Sequence, residues 1–314
     1  MNNKITNLLF VFNEENRIRY FLDSLKDFCS VVIIDDFSED NTVNIAKEYT
    51  DQVFEYKKTG TGEDPAAMGF ALSHVKTEWV FSSRVDEFIP LPLQEKINQI
   101  IEKDECDIIR ISRLNILFGR PTKTWGDDYQ VEFFKKDFID YKNNALFELN
   151  VSKQARIITL PPTKELSIWH FSSYDIATYT NANNRYSTIT ANSVIKQREL
   201  PKTNFSHHIE SAKLIGKTLV GKIQLSRKMT LFRILFNPGL RFFWHYFIRG
   251  GIKSGWSGFV TSYLMMMEQM LTELKIWELE NNISRDKINN YYNELKTVFV
   301  AGEIPDLKKD PFKN

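Results

Sequence analysis

Val31-Val-Ile-Ile-Asp-Asp-Phe-Ser-Glu-Asp-Asn-Thr42 is the stretch on which the fold turns. Four β-branched residues run straight into two adjacent carboxylates, Asp35 and Asp36, and a Ser-Glu-Asp-Asn-Thr turn then opens a helical pattern. A short apolar run bounded by turn residues is a buried strand. A buried strand that ends in acids places them at the carboxyl edge of a parallel sheet, where open α/β sheets bind their ligands. Trp79-Val-Phe-Ser-Ser-Arg-Val-Asp-Glu-Phe88 repeats the pattern. Two acidic strand ends so close in sequence point to a site for a nucleotide and a cation.

Reading outward, Ile5–Phe12 is a buried strand. Glu14–Phe28 carries Ile18, Phe21, Leu22, Leu25 and Phe28 at helical spacing, the pattern of a helix with one face on a sheet. A helix over Asn41–Tyr49, a strand over Gln52–Tyr56, a loop over Thr59–Pro65, a helix over Ala66–Val75 and a strand over Glu78–Phe81 continue the alternation. Strands alternating with helices argue a parallel sheet with crossover helices. After the helix Leu93–Ile101, the strands Asp107–Ser112, Gln130–Phe134 and Ala155–Leu160 follow without regular helices between them, which predicts a mixed, mainly parallel sheet. From Tyr174 the pattern is helical over Tyr174–Gln197, His207–Lys228 and Ser257–Asn281. The expected organisation is an α/β domain over 1–200, a C-terminal helical region over 201–302 that either associates with a membrane or packs on protein, and a polar tail over 303–314.

The bulk composition excludes several classes. A hydrophobic share of 42% and a charged share of 26% over 314 residues are those of a globular protein. A net charge of +1 gives no field for nucleic acid. Cys29 and Cys106 are far apart and not at metal-ligand spacing, which fits a reducing, cytoplasmic setting. The apolar run Leu8–Phe12 is too short for a signal-peptide core, and no apolar run reaches membrane-spanning length. A dinucleotide site or a P-loop would need glycines after the first strand, and Asn13-Glu14-Glu15-Asn16-Arg17 stands there instead. Acids beside a nucleotide accept from base N–H groups or ribose hydroxyls, or hold a cation.

Phe12-Asn13-Glu14-Glu15, Ile34-Asp35-Asp36-Phe37-Ser38-Glu39-Asp40-Asn41-Thr42 and the acidic end at Asp86-Glu87 together resemble the family 2 glycosyltransferases of the GT-A fold. Within them the chain is most similar to bacterial enzymes that extend lipopolysaccharide core or another surface glycan, and the resemblance covers roughly residues 5–200. It implies an inverting hexosyltransferase with a nucleotide-sugar donor, expected to be a UDP-sugar, and a glycan or glycolipid acceptor. Asp36 would accept from a base N–H, with Phe12, Asn13 and Glu14 lining base and ribose. Ser38 and Asp40 are expected to cap the turn.

The family reads Asp-x-Asp at the cation site, and its last acid binds Mg²⁺ or Mn²⁺ against the diphosphate. Here that acid is Asp86, while Arg84 stands in place of the first. Three outcomes are open: a cation held by Asp86 with help from elsewhere, Arg84 partly replacing the cation by pairing with phosphate, or a degenerate relative that binds glycan or lipid without turnover. An Arg84–Glu87 salt bridge competes with all three. His170, in Ile168-Trp-His-Phe-Ser-Ser-Tyr174, is either a further metal ligand or a satisfied core histidine. A nucleotidyltransferase is the rival enzyme class.

Asp128, in Trp125-Gly-Asp-Asp-Tyr-Gln130, and Glu148, in Ala145-Leu-Phe-Glu148, match family elements and are the candidate active-site acids, with the base unassigned between them. Lys135 and Lys136 read as a solvated strand end, or as a basic pair near the donor phosphates. Leu231–Arg249 combines many aromatic residues with Arg233, Arg241 and Arg249, and runs on to Lys253 and Trp256. That composition suits a segment lying at a cytoplasmic membrane surface, attracted by anionic lipid, or else a packing helix. Ser257–Leu279, with its four methionines, reads as a packing helix.

Overall fold

A computed structural model describes residues 2–57, 65–145, 148–199 and 231–300. The expected helix over His207–Lys228 lies outside them, as do the loop around Thr59–Gly62 and the polar tail. The chain divides into two compact units, one of Met1–Asp175 with Tyr246–Thr261 and the other of Ile176–His245 with Ser262–Asn314.

In the first unit β1 (Asn2–Val11), β2 (Cys29–Asp35), β3 (Val53–Glu55) and β4 (Trp79–Ser83) are joined through α1 (Ile18–Leu25), α2 (Thr42–Lys47) and α3 (Pro65–His74). β1 pairs in parallel with β2 and β4, and β2 with β3. Beyond β4 the chain adds β5 (Glu87–Phe88), α4 (Leu91–Glu102), β6 (Ile108–Leu117), β7 (Arg120–Pro121) and β8 (Asp128–Lys135). Then come β9 (Ile139–Ala145), β10 (Glu148–Val151), β11 (Ile157–Thr159) and β12 (Ile168–Ser173). The main sheet runs β3-β2-β1-β4-β8-β6-β12-β5, with β7 and β11 on β6, while β9 and β10 form a separate pair. β8 is antiparallel to both β4 and β6, so the sheet is mixed.

Strand alternation divides the core into two faces. Leu9, Ile33 and Phe81 point to the face covered by Phe21, Leu22 and Leu25 of α1 and by Leu93 and Ile97 of α4. Leu8, Val32, Ile34 and Val80 point to the other, against Met68 and Ala71 of α3. With both faces covered, ligands reach this sheet at its edge, where β1, β2 and β4 end and β8 begins.

The first helix is shorter than its apolar spacing predicts. Glu14–Arg17 forms a turn instead, closed by backbone bonds from Arg17 N and Ile18 N to the Glu14 carbonyl. The reading of Lys135 is overturned. Its side chain is only 10% exposed, and its Nζ lies 2.7 Å from Asp104, 3.2 Å from Glu78 and 3.3 Å from Asp107. Lys135 also pairs in register with Trp79, at the opposite end of β4 from the acids, so it stands away from any diphosphate.

The second unit contains α5 (Ile176–Glu199), α6 (Leu231–Phe243), the larger part of α7 (Gly255–Glu280) and α8 (Arg285–Val300). Ala191, Val194 and Ile276 form a small core. Arg233, 1% exposed, pairs with buried Glu273 at 2.7 Å, and Asn237 and Gln269 donate to the same carboxylate. Arg241 meets Glu268 at 3.1 Å. These partners correct the expectation that Arg233 and Arg241 face anionic lipid: both are used inside the protein to tie α6 to α7. Leu264 and Met265 are buried, as a packing helix requires. Among the described residues no helix is long and apolar enough to cross a membrane.

Candidate active site

The loop after β1 and the turn after β2 are stapled together. Asn13, with φ +54°, donates its backbone N–H to Ser38 Oγ at 2.9 Å, and its Oδ1 accepts from Glu39 N at 2.9 Å. Asp35 is buried and accepts from Ser38 N at 2.9 Å and Ser38 Oγ at 2.5 Å. Asp40 accepts from Thr42 and from Glu15 N. Ser38 and Asp40 are therefore turn-forming residues, as expected, and Asn13 joins them.

With Asp35 committed to the turn, Asp36 is the acid that faces outward. Its carboxylate meets Lys57 Nζ at 3.3 Å, and that ammonium lies 5.9 Å from the Phe12 ring centroid and 5.8 Å from that of Phe37. Phe12 and Phe37 are about half exposed. The edge thus presents an acceptor beside a donor, flanked by aromatic rings. Lys57 was not singled out by sequence reasoning; its position just past β3, at the same sheet edge, was the available signal. Glu14 carries a bidentate bond from Arg17, with 2.8 Å to Nε and 2.8 Å to Nη2. Burial pushes the Glu14 carboxyl up, against the pull of Arg17.

Asp86 sits after β4, its side chain 20% exposed, with Arg17 Nη1 at 3.9 Å and His170 Nε2 at 3.7 Å. Burial alone would raise its pKa, but His170, Arg17 and Arg84 outweigh that and hold it below the usual carboxylate range. His170 is brought there by register: on β12 it pairs with Asn115 of β6 on one side and Glu87 of β5 on the other. Its Nδ1 lies 2.6 Å from Asn115 Oδ1. The amide nitrogen of Asn115 donates to Asp128 Oδ2 at 3.1 Å, and Gln130 Nε2 donates to Asp128 Oδ1 at 2.7 Å. Asp86, His170, Asn115 and Asp128 therefore form one line across the sheet edge. Glu148 begins β10, opposite Ala145, and its side chain lies outside the described residues.

Arg84 bonds Glu87, with its backbone N 2.9 Å from Oε2 and its Nη1 3.2 Å from Oε1. Glu87 is fully buried and is shared with Arg113, whose Nη2 is 2.6 Å from Oε1 and 2.7 Å from Glu132 Oε1. Burial, then the charge of Glu87, pushes the Glu132 carboxyl up to about 8 despite Arg113. Its Oε2 is buried with no hydrogen-bond partner. Sequence reasoning missed Arg113, Asn115 and Glu132. The signal was polar residues recurring at every second position of otherwise apolar strands, which marks one face of a strand as lining something polar.

The residues present fit a divalent cation of modest protein ligation. Asp86 Oδ2 and His170 Nε2 stand 3.7 Å apart, close enough for one cation to touch both, and among the described residues no group of three His, Cys, Asp or Glu gathers to hold a metal. The remaining ligands would have to come from a diphosphate, as suits a hard cation that takes phosphate oxygens.

A mixed α/β sheet with acids gathered where its parallel strands end is the arrangement of the GT-A fold. The Glycosyl transferase family 2 model matches residues 8–159. Residues 8–159 therefore carry a family 2 glycosyltransferase domain. An uncharacterized glycosyltransferase of Rickettsia prowazekii is 23% identical over 314 residues, spanning 94% of this chain and 95% of the relative. One from Rickettsia bellii is 24% identical, spanning 98% of this chain and 96% of the relative. A solved mannosyltransferase from Pyrobaculum calidifontis, in complex with GDP-Man and Mn²⁺, has the same fold, with TM-score 0.50, 14% identity and 88% coverage of each chain.

Proposed function

We propose that the protein is an inverting glycosyltransferase that moves a sugar from a nucleoside-diphosphate sugar, with a UDP-sugar as the expected donor, to a hydroxyl of a surface glycan or glycolipid. The observation that carries this reading is the line Asp86–His170–Asn115–Asp128, in which one acid lies 3.7 Å from His170 and the other is hydrogen-bonded through Asn115 to the same ring, the layout a diphosphate acid and a proton-accepting acid would need.

At the nucleotide end, Asp36 accepts the base N–H while Lys57 offers a donor to the neighbouring base carbonyl. Uracil presents that N–H and carbonyl side by side, and guanine does so too. A divalent cation at Asp86 and His170 would offset charge on the leaving diphosphate. Arg17 and Arg84 add positive charge there and pair with phosphate oxygens. Asp128 takes the proton of the acceptor hydroxyl as its oxygen bonds to the anomeric carbon. The anomeric carbon–phosphate oxygen bond breaks, and the nucleoside diphosphate leaves with that electron pair. A single displacement from the face opposite the diphosphate inverts the anomeric centre. Glu148 is kept as a second acid for acceptor or donor sugar.

The acceptor side suggests work at a membrane surface. Ile248, Ile252 and Trp256 are 58%, 49% and 79% exposed beside exposed Lys253. This elbow is bolted to the loop before Asp128: Arg249 Nη1 donates to the Trp125 carbonyl, and Lys123 N donates to Ser254 Oγ at 3.2 Å. Exposed indole and aliphatic groups with a lysine fit the headgroup boundary of an anionic bilayer. The catalytic unit would then meet its acceptor as a peripheral protein on the cytoplasmic face. The domain plan proposed from sequence places residues 1–200 in the catalytic part and 201–302 in the helical part.

A panel of UDP- and GDP-sugars incubated with the protein, with and without Mn²⁺, tests the reading through release of nucleoside diphosphate. Release from at least one donor is expected, and neither binding nor release across the panel would refute the enzyme. That second result is the one the impaired-relative reading requires, which Arg84's turn toward Glu87 motivates.

A further inference from the structure

We infer that Asn115 is the positioning residue that simultaneously fixes the tautomer of His170 and the orientation of Asp128, so that one buried amide couples cation binding to proton abstraction. This inference rests on the glycosyltransferase reading for the roles of its two partners. A carboxylate only accepts, so the side of the amide that faces Asp128 must be its NH₂. That assigns the other side, 2.6 Å from His170 Nδ1, to the carbonyl oxygen. A carbonyl oxygen only accepts, so Nδ1 must carry a proton and donate it. In the neutral ring the lone pair then lies on Nε2, which faces Asp86 Oδ2 at 3.7 Å. In that state a cation would bridge the nitrogen lone pair and the carboxylate; without a cation, a proton on Nε2 is donated toward Asp86, which is how His170 helps hold that carboxyl low.

Packing makes the arrangement rigid. Asn115 is 3% exposed on central strand β6, between β8, which carries Asp128, and β12, which carries His170. Gln130 holds the second oxygen of Asp128, so that carboxylate cannot rotate away. Metal-binding histidines usually donate their second ring N–H to an oxygen, which orients the ring and raises its basicity. Asn115 supplies that oxygen and uses its nitrogen on the base.

Two variants separate the two tasks. Asn115→Ala removes both hydrogen bonds. Mn²⁺ affinity, read by electron paramagnetic resonance titration with UDP present, should fall about 10-fold or more. The kcat for transfer should fall about 100-fold, with donor KM changing far less. Asn115→Asp keeps the volume and still accepts from His170 Nδ1, but it cannot donate to Asp128 when ionised. It should hold Mn²⁺ within roughly threefold of the unaltered protein while losing kcat as the alanine variant does. Asn115→Ala with unaltered Mn²⁺ affinity, or Asn115→Asp with unaltered kcat, overturns the inference and leaves the glycosyltransferase reading intact. The titration needs no turnover, so a protein whose Mn²⁺ affinity follows Asn115 but which releases nucleotide from no donor would instead refute the enzymatic reading.

Discussion

Lys57 Nζ stands 3.3 Å from the carboxylate of Asp36, so the acid expected to read the base already has a cationic partner. A base that engages this edge meets an acceptor and a donor together. Asp36→Ala should weaken UDP binding by about 10- to 100-fold, since a charged acceptor is lost, and should raise donor KM more than it lowers kcat. Lys57→Met should also weaken UDP binding, by a smaller factor. Isothermal titration with UDP and GDP measures both effects, and Lys57→Met binding as tightly as the unaltered protein would remove Lys57 from base recognition.

Asp86→Ala should abolish turnover, because on the proposed reading the diphosphate end would lose its cation ligand. Asp128→Asn should lower kcat by about 100- to 10,000-fold, the usual range for a lost general base, with donor binding retained. Glu148→Gln, assayed beside it, decides which acid is the base: the variant with the larger loss of kcat at saturating donor identifies it. Near-normal transfer by Asp86→Ala would remove that residue from the site.

Glu132 makes a stability prediction with a definite sign. Burial and the charge of Glu87 raise its folded pKa from 4.5 to about 8. The folded state therefore holds a proton that the unfolded chain releases between those two values. Stability from this group is fully present below about pH 4.5 and is lost as pH rises through about 8. Glu132→Gln removes the dependence. Its Tm should exceed that of the unaltered protein by about 3 °C or more at pH 8.5, and the gap should close toward pH 4.5. Differential scanning calorimetry across that range checks the sign, and a gap that widens on acidification would contradict the buried-acid account.

Trp256→Ser with Ile252→Ser should reduce sedimentation with phosphatidylglycerol-containing vesicles by about 10-fold or more, while release of nucleotide in solution stays unaltered. Binding that persists, or a concentration-dependent dimer lost in the double variant, would reassign the elbow to a protein partner.

The parallel half of the fold was legible because each of its strands is a local signal: Val31–Ile34 and Trp79–Phe81 carry their own apolar runs and their own terminal acids. Asp36 and Asp86 could be placed at the sheet edge for the same reason. The frame around them was not legible. Asn115 and His170 are far apart in sequence and meet only because β6 and β12 pair in that register. Arg113 reads as an ordinary surface charge until the antiparallel pairing of β6 with β8 brings Glu132 beside it. Lys135 was misread because its partners Asp104 and Asp107 come from the loop after α4, about thirty residues earlier in the chain. Composition alone could not reveal that Arg233 and Arg241 are spent on internal acids.

Arg84 and Glu87 leave a mark on how this site can change. The arginine that replaced an acid of the Asp-x-Asp pattern lies 3.2 Å from a fully buried carboxylate, which Arg113 also contacts. An acid placed at position 84 would stand beside Glu87 with Arg113 as the cation left to offset both, so positions 84 and 87 behave as one unit of substitution and not as two independent ones.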